Sequence, residues 1–180
     1  MNIIHESIYN TLNMIIINKS GYLKYKDLKF KCALGKAGIG NKKIEGDNIT
    51  PKGIFKIVKI YYRKDRIKKI YSKFKLIKIT KKIGWCDDPK SKNYNKLINL
   101  PSQYGYEKLY RKDNIYDLIL VLDYNLKPII KNKGSAIFIH VTKKNYQATQ
   151  GCVALKKKHL IKQRSLRYIS KQLLKREPCQ

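Results

Sequence analysis

Residues 136–155 read Ala-Ile-Phe-Ile-His-Val-Thr-Lys-Lys-Asn-Tyr-Gln-Ala-Thr-Gln-Gly-Cys-Val-Ala-Leu. The segment 136–142 is dense in apolar and β-branched residues, as a buried strand requires, and 152–155 is a second short apolar run. The nine residues between them, 143–151, are polar and end in glycine. A connection of that length is long enough to fold back and short enough to keep its flanking strands close. It carries His140, inside the first run, toward Cys152, at the head of the second.

A cysteine is a strong nucleophile only as its thiolate, so a catalytic thiol needs a neighbouring base or a positive environment. His140 is the candidate base. Gly151, directly before the sulfur, permits a sharp backbone turn that exposes the thiol and aims amide N–H groups at the oxygen of an attacked carbonyl. Taken alone, a Cys and His pair is more often a small buried hydrophobe and a satisfied core histidine than an active site.

The surrounding chain reads as mostly β. Asp27 to Leu34 alternates apolar and charged residues, the period of a strand with one wet face, and a glycine-rich turn follows from Gly35 to Gly40. Gly53 to Tyr62 and Lys73 to Thr80 predict two more strands with lysines on their solvent faces, and Tyr116 to Leu122 predicts a buried one. From 84 to 113 the periodicity fails among Gly, Pro, Asp, Asn and Ser, which predicts a long functional loop. Leu166, Ile169 and Leu173 recur at helical spacing, so one or two C-terminal helices are expected to cover the sheet. The 180 residues are expected to form one domain, a β-sandwich or partly closed barrel with a C-terminal helical element.

Composition narrows the function classes. The formal charge of +29 comes from 41 basic and 12 acidic residues, an excess that attracts anionic polymers. Yet 35 of the basic residues are Lys and 6 are Arg, whereas nucleic-acid recognition leans on the bidentate Arg fork. A basic nucleic-acid-binding module is therefore the competing reading, and no nucleic acid is expected as partner. Cys32, Cys86, Cys152 and Cys179 form no C-x-x-C pair, so no metal site is expected, while a disulfide stays open. No run approaches the length of a membrane span, and Met1 to Asn18 lacks the pattern of a secretion signal.

A second motif agrees with the His and Cys pair. Thr50-Pro51-Lys52-Gly53-Ile54-Phe55 and Thr149-Gln150-Gly151-Cys152-Val153 together resemble the YkuD-type L,D-transpeptidase catalytic domain, as do Gly84-Trp85-Cys86-Asp87-Asp88-Pro89, Tyr94-Asn95 and Gly134-Ser135-Ala136. The resemblance covers roughly residues 27–160. The chain departs from many members at Gln150, Val141 and Ala154.

The resemblance implies a fold and a chemistry. It implies acyl transfer on peptidoglycan stem peptides through a thioester on Cys152, with His140 as base, no cofactor, and work in the periplasm or cell envelope. A carboxypeptidase on the same scaffold is the nearest alternative. Trp85, Lys143, Thr149 and Gln150 are expected to contact substrate, Thr50 and Pro51 to shape a turn, and Asp87 and Asp88 to fold their loop. His140 needs an acceptor for its second nitrogen, with the carbonyl of Val141 the expected one. The protein is expected to be a monomer.

Overall fold

The structure is a computed structural model that describes residues 14–72 and 74–161. Its strands, in chain order, are β1 (Ile16–Asn18), β2 (Tyr22–Tyr25), β3 (Leu28–Lys31), β4 (Ile39–Gly40), β5 (Thr50–Pro51), β6 (Ile57–Tyr62) and β7 (Leu76–Lys78). They continue as β8 (Ile83–Cys86), β9 (Leu97–Asn99), β10 (Tyr106–Lys108), β11 (Leu118–Leu122), β12 (Phe138–Val141) and β13 (Val153–Leu155). A short helix, Lys157–Ile161, follows.

The architecture is mostly β, built as layers around a five-stranded sheet ordered β13-β12-β11-β6-β7. Alternation along its strands sends side chains to two separate cores. Leu118, Leu120 and Leu122 on β11, Ile139 and Val141 on β12, and Val153 and Leu155 on β13 face one core, shared with Leu23 and Tyr25 of β2. Ile119, Val121 and Phe138 face the other, shared with Trp85 of β8, Leu109 and Tyr116. The antiparallel sheet β1-β2-β3 thus covers one face and the sheet β10-β8-β9 the other. The strands form separate packed sheets rather than a closed barrel.

Several expectations shift in detail. The strand expected from Gly53 begins at Ile57, because Gly53 sits at φ +152° and Lys56 is tied by its N–H to the Asp123 carboxylate at 2.8 Å. The segment 84–113, expected to be a loop, holds three short strands. Their pattern is invisible to a period-2 search because Gly84, Trp85 and Cys86 are buried in succession between the core and the neighbouring strands. Asp88 folds its loop as expected, accepting from the N–H of Lys90 at 2.9 Å and of Gly105 at 3.3 Å. Thr50 and Pro51 form a strand rather than a turn, and the Thr50 hydroxyl accepts the buried Gly35 N–H at 2.8 Å.

The helix packs through Leu160, and Lys157 reaches the buried carboxylate of Asp117 at 2.7 Å. His159 is half-buried and stacks on Phe30 at 4.6 Å between ring centroids. Leu166, Ile169, Leu173, His5 and Cys179 lie outside the described residues. Cys32, Cys86 and Cys152 are free thiols.

Candidate active site

The site is set by the pairing of β12 with β13. The two run parallel, with Ile139 opposite Val153 and His140 opposite Ala154. Continued by one residue, this register puts Cys152 beside Phe138, so His140 and Cys152 share the face that carries Phe138. Two residues of strand rise and one strand spacing separate their Cα atoms, about 8 Å, within reach of convergent side chains. The polar connection between them ends in the glycine that the turn needs: Gly151 has φ +136°, and a Cβ there would lie 2.9 Å from the carbonyl oxygen of Ile49.

Each member is oriented by backbone. The Nδ1 of His140 lies 2.9 Å from the carbonyl oxygen of Val141. A carbonyl only accepts, so Nδ1 carries the proton and Nε2 presents its lone pair. Tyr116 packs edge-on against the imidazole at 5.3 Å and against Phe138 at 6.2 Å. The Cys152 thiol donates to the carbonyl of Ala136 at 3.1 Å and accepts the N–H of Phe138 at 3.3 Å.

Burial dominates the electrostatics. Desolvation lowers the His140 imidazole to about 4, against the bond to Val141; Arg111 and Lys143 push the same way as burial and Asp113 opposes them. Desolvation raises the Cys152 thiol to about 12, opposed by the Phe138 N–H and Lys42 and reinforced by Glu107. The Cys152 residue keeps a partly exposed surface, while its sulfur is surrounded by protein groups. At neutral pH the pair therefore rests as neutral thiol and neutral imidazole, not as an ion pair.

The site residues expected from sequence divide into two groups. Lys143 and Gln150 are exposed on the connection between base and sulfur. Thr149 is half-buried, its hydroxyl donating to the Cys152 carbonyl at 2.6 Å and accepting the Gly151 N–H at 3.1 Å. That bond also occupies the Gly151 amide, so the glycine serves the turn and not anion binding. Trp85, expected to contact substrate, is packed inside the second core. It is 4% exposed, edge-on to Phe138 at 5.2 Å and to Tyr61 at 6.4 Å, with its indole N–H donating to Asn95 at 3.0 Å.

Sequence reading missed the segment that flanks the imidazole. Arg111 lies over the Tyr116 ring at 5.5 Å and pairs with Asp113 at 2.7 Å and Glu107 at 3.5 Å, and Tyr116 hydrogen-bonds the Glu107 carboxyl. Arg63 and Arg66 hold this segment by its carbonyls, at 2.7 Å to Arg111, 2.6 Å to Asp113 and 2.8 Å to Lys112. The available signal was compositional, since a chain that uses Lys almost everywhere places Arg63, Arg66 and Arg111 around one loop.

The family model for the L,D-transpeptidase catalytic domain, YkuD, matches residues 13–162. The chain belongs to the YkuD family. No curated protein and no solved structure matches the chain. YkuD domains act on the peptidoglycan of the cell wall, and the match spans both layers of core as well as the His140 and Cys152 loop. Among the described residues no group of three His, Cys, Asp or Glu side chains is placed to hold a metal ion, and no helix is long and apolar enough to cross a membrane.

Proposed function

We propose that this YkuD domain is an L,D-transpeptidase of the cell envelope that uses Cys152 as nucleophile and His140 as general base. The observation that carries the reading is the placement of both side chains on one face of adjacent parallel strands, with the imidazole lone pair released by the Val141 bond.

In this reading a donor stem peptide enters beside the 143–150 connection, where Lys143 and Gln150 are exposed to meet its polar groups. Sγ of Cys152 attacks the carbonyl carbon at the L-centre of a diaminopimelate residue as the thiol proton passes to Nε2 of His140. The proton moves with the attack because neither partner is charged at rest. The amide of Cys152 stabilises the tetrahedral oxyanion, a donor of a kind worth about 3 kcal/mol. The C–N bond then breaks, His140 returns the proton to the departing amine, and D-alanine leaves a thioester. The amine of a second stem attacks the thioester carbonyl and expels the sulfur, joining two stems.

Intact-mass measurement after exposure to a carbapenem tests the nucleophile. The expected result is a single covalent adduct that disappears in Cys152→Ala, and a folded parent protein that stays unmodified overturns the reading. Purified tetrapeptide muropeptides then separate the outcomes of resolution: cross-linked dimers are expected, and tripeptides alone would reassign the enzyme as a carboxypeptidase.

A further inference from the structure

Asn95 lies in the turn between β8 and β9, in left-handed conformation at φ +55°, with 1% of its surface exposed. Its side-chain amide makes every hydrogen bond open to it. Oδ1 accepts from Trp85 Nε1 at 3.0 Å and from the backbone N–H of Ala136 at 3.1 Å. Nδ2 donates to the carbonyls of Tyr124 at 3.3 Å and Asn125 at 2.7 Å. Three separate segments therefore meet on one buried side chain: the β8 strand, the chain leaving β11, and the chain entering β12.

The Ala136 contact leads to the sulfur. Ala136 has φ +51°, a conformation that costs a non-glycine residue about 1 kcal/mol or more and persists only when its surroundings hold it. The groups that hold it are next to it in the chain and in space. Asn95 takes its N–H, and Tyr94, the neighbour of Asn95, accepts the N–H of Gly134 at 3.0 Å. In that conformation the Ala136 carbonyl meets the Cys152 thiol at 3.1 Å.

We infer that Asn95 is a positioning residue for the nucleophile: by fixing the backbone of Ala136 it holds the carbonyl that receives the Cys152 thiol and, together with burial, keeps the sulfur parked until a substrate arrives. The Asn95 amide and Sγ do not touch; the coupling runs through one peptide unit. A carbonyl accepts a hydrogen bond from S–H and has nothing to offer a thiolate, so this contact favours the thiol form. Releasing the carbonyl makes the sulfur easier to ionise. This inference rests on the proposed role of Cys152 for its catalytic meaning, but not for its chemistry.

The test follows the sulfur and not turnover. The rate of iodoacetamide labelling at Cys152, read by peptide mass mapping with Cys152→Ala as background, is measured from pH 7 to pH 11. The wild-type rate is expected to climb about tenfold per pH unit across the whole range with no plateau, since the thiol titrates above it. In Asn95→Ala the labelling rate at pH 8 is expected to rise about tenfold, with the profile bending toward a plateau as pH approaches 11.

Asn95→Asp keeps an Oδ1 acceptor for Ala136 and loses the two donors, so its profile is expected to stay at or above the wild-type midpoint. Trp85→Phe removes a bond of the same network without touching Ala136, and is expected to lower stability with no bend in the profile. An unchanged profile in folded Asn95→Ala, a lowered midpoint in Asn95→Asp, or an equal bend in Trp85→Phe overturns the inference, and whichever Asn95 variant folds decides it. If the profile bends as stated while Cys152→Ala keeps full acyl transfer, the positioning stands and the proposed nucleophile falls. If the profile does not bend while the carbapenem adduct forms, the reverse holds.

Discussion

The hydroxyl of Thr149 bridges the turn that leads into Cys152, donating to the carbonyl of Cys152 at 2.6 Å while accepting the N–H of Gly151 at 3.1 Å. Its backbone is fixed as well, with the Thr149 N–H on Leu34 at 2.8 Å and the Lys36 N–H on the Thr149 carbonyl at 2.9 Å. The loop that presents the sulfur is thereby sewn to the glycine-rich turn after β3. Thr149→Val, nearly equal in shape, removes both hydroxyl bonds and is expected to cost about 1–3 kcal/mol. Carbapenem acylation should slow about 10- to 100-fold, as for a misplaced reacting group. Thr149→Ser should restore both, as read by urea unfolding and by adduct formation over time.

Gly151→Ala meets the Ile49 carbonyl at 2.9 Å and places a side chain at φ +136°. Nothing in the contact is a flexible side-chain end, so the backbone must move. A loss of roughly 2–3 kcal/mol is expected, checked by thermal or urea unfolding.

Burial of His140 makes stability depend on acidity. Its folded value of about 4 lies below the unfolded value near 6.5, so between those limits the unfolded chain binds the extra proton. The stabilisation is fully present above pH 6.5 and is lost as pH falls toward 4, to a limit of about 3 kcal/mol. His140→Gln should show a shallower loss across that window in urea midpoints. The acylation rate of the parent protein should lose activity only near pH 4, and hold level through neutrality. For Cys152 the sign is opposite: its folded value of about 12 exceeds the ordinary thiol value of 9.0, so the stability it lends is present below pH 9 and fades as pH rises toward 12.

Arg63 is 4% exposed, stacked on Tyr110 at 3.6 Å, and bonded to the Arg111 carbonyl and the Asp65 carboxylate at once. A lysine has one compact head and cannot span those partners. Arg63→Lys is expected to destabilise the fold by about 2 kcal/mol and to slow acylation, because the segment bearing Arg111 and Asp113 loses its anchor. Unfolding curves and adduct kinetics measured on the same variant check both.

Much of this molecule was legible in one dimension. Runs such as Leu118–Leu122 and Phe138–Val141 are apolar on both faces because both faces of the central sheet are covered, and density alone marks them as strands. The His140 and Cys152 pair was legible because strand, polar connection, glycine and strand leave few ways to fold. Trp85 and Thr149 spend their polar atoms on the protein itself, and the sequence does not announce it. An indole and a hydroxyl are equally suited to a ligand or to the protein's own backbone, and sequence does not say which partner arrives first.

What the sequence determined by itself was local: which runs extend, where glycine permits a turn, and which strand and connection bring His140 and Cys152 near each other. Tertiary structure alone decided the rest. Residues 84–113 become a sheet only against the face that carries Phe138, and Asn95 acquires its four partners from segments 10 to 41 residues away in the chain. The protonation of the pair also belongs to the fold, because burial sets it, and burial is a property of everything packed around a residue, not of the residue.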